Sequence, residues 1–198
     1  MENLSQNFIV AHKFTAEWEG GISDHPADRG GVTAYGASIE FVKDLASTAS
    51  GKSFLQGIGV ALPITRAVIL KLTPGQVAQM FHYKFWQPHG LDRLPLRPAG
   101  LIYDASVNHG ARAGARLAQR GYNKLAGNGE KLAEDGIVGP KTVGALAAGA
   151  DALVKAIIQA RRDYYHAIVA GRPSQKVFLK GWLNRADSLE RRALGSWQ

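Results

Sequence analysis

With 198 residues, 45 % hydrophobic and 20 % charged, the chain is long enough for one ordinary domain or two small ones sharing a core, and too apolar for a disordered tail. Twenty-four basic against 16 acidic side chains leave a net charge of +8, which excludes an acidic protein and favours an anionic partner: nucleic acid, an anionic membrane or a carboxylate-bearing polymer. The absence of cysteine excludes disulfide scaffolds, thiolate zinc sites and cysteine-nucleophile hydrolases.

Residues 1–7 carry no basic segment, and no apolar stretch with a cleavage site follows, so no secretory signal is expected. Phe8, Ala11, Phe14 and Trp18 recur at helical spacing and predict a first helix that Gly20-Gly21 ends. Residues 20–38, rich in Gly, Asp and Pro, read as a loop with at most a short hairpin around 32–38. A second helix is expected over 39–46, then a Ser/Thr/Gly loop through Ser53. The apolar run 54–72 is interrupted by Pro63 and Arg66 and is too broken to span a bilayer. Thr73-Pro74-Gly75-Gln76 combines an N-cap Thr, a first-turn Pro and a Gln three residues on, which predicts a helix start. Val77, Met80, Phe81, Lys84 and Phe85 form its apolar face, and Pro88 closes it. Residues 87–98 read as a connector. Helices follow over 97–108 and 111–126, then a Gly/Asn/Asp loop over 127–139 and a short helix starting at Pro140. Asp151 is read as the cap of a longer helix bearing Leu153, Ile157, Ala160, Tyr164 and Ile168 on one side, and a last helix covers 174–194. Strands are scarce, so the fold class is mainly α.

Several chemistries lack their residues. No phosphate-cradling glycine loop, dinucleotide fingerprint or nucleophile elbow is present. The six histidines form no helical metal pair around a glutamate, and no metal or cofactor is expected. The basic residues are scattered without helix-turn-helix or zinc-finger spacing, which argues against nucleic acid.

One segment concentrates acids and glycines on an otherwise basic chain. Residues 1–48 hold three basic and seven acidic side chains, whereas residues 49–198 hold 21 and nine. Within it, Glu19 falls at the carbonyl end of the first predicted helix, where the helix dipole disfavours an ionised carboxylate. Trp18 beside it and a covering loop are expected to add desolvation in the same direction. Both effects favour a carboxyl that stays protonated near neutral pH, as a general acid must. Eight residues separate Glu19 from Asp28 and four separate Asp28 from Thr33, so a folded-back loop can set a second carboxylate and a hydroxyl opposite the acid. Paired carboxylates of this kind serve glycoside hydrolysis, although a turn-rich connector would have a similar composition.

Glu19-Gly20-Gly21, Asp28, Gly30-Gly31, Thr33 and Tyr35-Gly36 resemble the N-terminal motif of glycoside hydrolase family 108, whose N-acetylmuramidases occur as phage endolysins and in bacterial secretion loci. Trp86-Gln87-Pro88, Asp92, Leu94 and Pro95 look like the continuation of that motif. Asp104, Val107-Asn108, Gly110, Asp135-Gly136, Gly139-Pro140 and Thr142 resemble the peptidoglycan-binding region attached to it, and Tyr164-Tyr165, Pro173, Gln175, Phe178-Leu179, Gly181-Trp182 and Arg185 its end. The chain departs from the family at His25, where Asp is usual, and at Arg29, where Pro is common.

The resemblance implies a lysozyme-like helical fold with a small β-hairpin near the catalytic acid, a hydrolase region over 1–96 and a helical peptidoglycan-binding region over 97–198 packed into one unit. It implies cleavage of the β-1,4 bond between N-acetylmuramic acid and N-acetylglucosamine, with Glu19 as acid. Asp28 and Thr33 are carried over from the Glu–Asp–Thr pattern of lysozymes. Peptidoglycan is the expected partner of a monomer made in the cytoplasm and released to the wall by a holin or secretion system, without stable membrane insertion. A transglycosylase, an amidase and a non-catalytic wall-binding module are the competing readings.

Other candidates carry two readings each. Trp86 and Trp182 suit core packing or sugar stacking. Tyr35, in the motif loop, suits a substrate contact or a structural turn. Asp104 and Asn108 share a helix face and could line a substrate cleft or form a buried polar pair between helices.

Overall fold

Phe8, Ala11 and Phe14 are each at most 1 % exposed and form the buried stripe of helix α1 (Gln6–Glu19). The computed structural model describes residues 4–23, 31–195 and 197, and divides the chain into two compact units. One comprises Thr15–Tyr83 with Leu4, the other Ser5–Phe14 with Lys84–Gln198, so α1 contributes residues to both.

In the first unit, strands β1 (Ile22–Ser23), β2 (Thr33–Ala34) and β3 (Ala37–Ser38) form an antiparallel sheet in that order. Helices α2 (Ile39–Leu45), α3 (Ala49–Gly57), α4 (Arg66–Ile69) and α5 (Pro74–Phe81) follow. Each begins at a hydroxyl cap that accepts from an otherwise orphan backbone N–H: Ser38 from Phe41, Thr48 from Gly51, Thr65 from Val68 and Thr73 from Gln76. At Thr73 the Gln76 side chain returns the bond, completing the capping box expected there. Helix α3 replaces part of the loop expected through Ser53, because Thr48 caps it and Leu55 anchors it in the core. Phe41 meets Phe81 at 5.4 Å, Phe54 stacks on Tyr83 at 4.2 Å, and Val42, Ile69 and Met80 are fully enclosed.

Beyond α5 the backbone widens into a π-turn over His82–Trp86, then 3₁₀ turns over Gln87–His89 and Leu91–Arg93. The second unit holds α6 (Leu96–His109), α7 (Ala111–Ala126), α8 (Pro140–Leu146), α9 (Asp151–Gly171) and α10 (Lys176–Leu194). Helix α7 packs on both α6 and α9, and α9 on α10. Gly114 and Gly121, two turns apart on α7, permit this: a β-carbon would lie 2.1 Å from the Ile102 carbonyl oxygen at Gly114, and 2.6 Å from Ile157 Cα at Gly121. Asp151 is the first residue of α9 and pairs with Arg97 at 2.7 Å, while the cap position is Ala150 and makes no side-chain bond. The 127–139 loop is fixed by buried Gln119, whose amide donates to Asp135 Oδ1 and the Ile137 carbonyl and accepts from Gly136 N–H. Among the described residues no single helix is long and apolar enough to cross a membrane.

Candidate active site

Helix α1 ends on Glu19, and Gly20 turns the chain out of it with φ of +75°. The last turn of α1 carries Glu17 and Glu19 and no basic residue, so that turn brings no cation to the carbonyl end. Residues 22–23 enter the sheet directly afterwards. Strand β2 pairs with β1 through Ile22↔Ala34 and Ser23↔Thr33, and with β3 through Thr33↔Ser38 and Ala34↔Ala37.

That register sorts the two sheet faces. Ala34 and Ala37 are fully buried and share a face with Ile22, while the hydroxyl residues Ser23, Thr33 and Ser38 lie side by side on the other. The β2–β3 turn is Tyr35-Gly36, with φ of 51° and 86°, the two-residue geometry that matches strand twist. Gly36 approaches the acid: a β-carbon there would lie 2.6 Å from Glu19 Cβ, 3.0 Å from its Cγ and 3.4 Å from Oε2. The first unit therefore brings the Tyr35-Gly36 turn against half-buried Glu19, while half-buried Thr33 lies in β2 opposite Ser23 and Ser38. Trp18, expected to desolvate Glu19, is itself 41 % exposed; the close cover on the acid is the hairpin turn. Asp28, with Asp24, His25 and Arg29, lies outside the described residues.

The remaining candidates belong to the second unit. Trp86 is fully buried, packs edge-on against Phe8 and Tyr103, and donates its indole N–H to Asp92 at 2.9 Å. Asp104 is 1 % exposed and accepts from Arg161 Nη1 at 2.6 Å and Arg185 Nη2 at 2.7 Å. Burial pushes the Asp104 carboxyl up, but the two guanidiniums override it and hold the group down at about 2. Trp86 and Asp104 are thus interior residues, the packing alternative for each, and the arrangement gives neither a surface for substrate. Asn108 is exposed and donates its amide to the Asp104 backbone carbonyl at 2.7 Å. Trp182 stacks between Phe178, itself 52 % exposed, and Tyr165. Among the described residues no three His, Asp or Glu side chains gather as a metal-binding group.

The fold is mainly helical and lysozyme-like, with a small antiparallel sheet directly after a first helix that ends on Glu19. The family model for Glycosyl hydrolase 108 matches residues 12–110, half of the chain, and the chain belongs to that family. A second family model, described as Predicted Peptidoglycan domain, matches residues 114–187. Among solved structures the fold is similar to that of SagA from Brucella abortus, at 24 % identity and a TM-score of 0.69 over 94 % of this chain and 93 % of that one. A search of curated proteins finds no significant match. The protein is accordingly a glycoside hydrolase that acts on peptidoglycan.

Proposed function

We propose that the protein is an N-acetylmuramidase that cleaves the β-1,4 bond between N-acetylmuramic acid and N-acetylglucosamine, with Glu19 as general acid. The observation that carries this reading is the contact between Gly36 and Glu19, which seats the acid beneath a backbone turn at the exposed end of a helix. Glu19 gives its proton to the leaving glycosidic oxygen as the oxocarbenium-like transition state develops. Asp28 orients the attacking water or stabilises that transition state, and Thr33, on the hydroxyl face of the sheet, helps to place the water. Tyr35, held beside Gly36, contacts the sugar. Monomeric action at the wall, after release by a holin or a secretion system, belongs to the same proposal.

The test is mass analysis of fragments from purified wall digested by the wild type and by Glu19→Gln. The wild type is expected to release muropeptides with a free reducing N-acetylmuramic acid end. Glu19→Gln should lose roughly two to four orders of magnitude in rate while keeping its fold. Anhydro products would indicate a transglycosylase, freed stem peptides an amidase, and full activity of Glu19→Gln would remove Glu19 from the mechanism.

A further inference from the structure

Helix α7 carries Arg112, Arg116 and Arg120 at intervals of four residues, so three guanidiniums leave one helix face about 6 Å apart along its axis. All three are exposed and line a cleft of about 430 Å³ with His109, Leu117 and, from α9, Tyr164. Arg120 is compensated by Glu134 at 2.9 Å, whereas Arg112 and Arg116 form no ion pair or hydrogen bond with any described residue.

Two buried guanidiniums, Arg161 and Arg185, also belong to this unit. His109 Nε2 meets the Tyr165 hydroxyl at 3.1 Å, and that hydroxyl accepts from Arg161 Nε at 2.6 Å. Burial and then the Arg161 charge push His109 down to about 4, so at neutral pH the ring adds no charge. Beyond it, Asp104 offers one negative charge to the two buried guanidiniums of Arg161 and Arg185. Arg161, 2 % exposed, keeps Nη2 without a hydrogen-bond partner among the described residues. Arg116 and Arg112, the latter drawn only electrostatically to the exposed Asp135, thus belong to a helical unit that also holds the buried guanidiniums of Arg161 and Arg185. Guanidiniums on successive turns suit carboxylates a few bonds apart, each gripped by a planar fork, and the Tyr164 ring offers an apolar face to the chain between them.

We propose that this cleft binds the stem peptides of peptidoglycan through their free carboxylates, using Arg112 and Arg116. The proposal rests on peptidoglycan being the substrate, and it names the chemical group by which the second unit recognises that polymer.

The test measures binding of the full chain to soluble glycan fragments that carry tetrapeptide stems, to the same strands stripped of peptide, and to a DNA duplex. The wild type should prefer the stem-bearing fragments. R112A/R116A should lose about tenfold or more of that affinity, with binding to stripped strands and the melting temperature unchanged. R112K/R116K, which keeps charge and loses the fork, should retain more than the alanine variant. Equal wild-type affinity for stemmed and stripped strands, equal losses on both, or DNA competing as well as stemmed fragments would overturn the proposal. Continued cleavage of wall by the wild type in any of those cases would leave the hydrolase assignment standing, so the two failures are distinguishable.

Discussion

Gly36 and Glu19 stand in a contact that a side chain at position 36 would break, since its β-carbon would fall 2.6 Å from Glu19 Cβ. Two demands meet at this residue: the turn needs a positive φ, and the acid needs the space. Alanine at 36 must therefore strain the turn and displace the acid. A displacement of 1 Å at a catalytic group costs up to about a hundredfold in rate, and left-handed backbone costs an L-residue about 1–2 kcal/mol. Gly36→Ala is expected to clear wall suspensions roughly ten to a hundred times more slowly with a modest loss in urea midpoint. A folded variant with the full rate would show that the contact does not position the acid.

Asp104 ties three helices together, since Arg161 lies on α9 and Arg185 on α10 while the carboxylate is on α6. Its folded-state carboxyl, held at about 2, lies below the ordinary 3.8. The unfolded chain therefore takes up this proton first. The stabilisation is present in full above about pH 4 and is lost as the pH falls towards 2. Asp104→Asn removes the carboxylate that both buried guanidiniums share and should cost about 3–5 kcal/mol. Urea unfolding at pH 7 checks the loss, and a difference between wild type and variant that persists undiminished at pH 2 would contradict the assigned cause.

The helix starts at Thr73 and Pro140 and the helix end at Glu19-Gly20 were legible because capping is local: a hydroxyl, a proline or a glycine decides them within one turn. Helix α3 was not, because its Ser/Thr/Gly composition reads as loop. Its glycine serves packing instead, since a β-carbon at Gly51 would fall 1.8 Å from the Leu45 carbonyl oxygen. The four-residue spacing puts Asp104 and Asn108 on one helix face, but the partners that make Asp104 an interior residue lie 57 and 81 positions away. Nothing local announces them beyond two arginines set among apolar residues on their helices. The arginines of α7 had a visible four-residue spacing, yet read as scattered charge until Gly114 and Gly121 fixed which face of the helix turns inward.

Those two glycines carry their own prediction. At Gly114 the obstructing atom is the Ile102 backbone oxygen, and at Gly121 it is the Ile157 backbone, neither of which can rotate away as a side chain tip would. In an isolated helix Gly→Ala would stabilise by about 1 kcal/mol. Here overpacking reverses the sign and costs about 1–3 kcal/mol. Gly114→Ala and Gly121→Ala are each expected to lower the urea midpoint, whereas Gly144→Ala on α8, where a β-carbon meets nothing within 4 Å, should leave it unchanged or raise it. Stabilisation at all three positions would mean that the α6–α7 and α7–α9 contacts are looser than described.

The acid response between pH 6.5 and 4 should come from buried histidines: His12, His109 and, lowered in the same direction chiefly by burial, His89. His12 stacks on Phe8 at 5.2 Å and bonds the Tyr103 hydroxyl through Nδ1 at 2.7 Å, and burial pushes it down to about 4. His109 is pushed down to about 4 as well, by burial first and by Arg161 second. Both rings are neutral in the folded protein at a pH where the unfolded chain, with the ordinary 6.5, is already protonated. Their stabilisation is therefore complete above about pH 6.5, is lost as the pH falls to about 4, and falls no further once the folded rings protonate too. At 1.36 kcal/mol per pKa unit this amounts to at most about 3 kcal/mol for each ring. Urea titrations at half-unit steps from pH 7.5 to 4 should show stability declining steadily in the wild type. His12→Gln and His109→Gln keep a hydrogen-bonding side chain but do not titrate, so each should lose less stability than the wild type between pH 7.5 and 4. Parallel curves for wild type and both variants would place the acid sensitivity elsewhere, in His89 or the carboxylates.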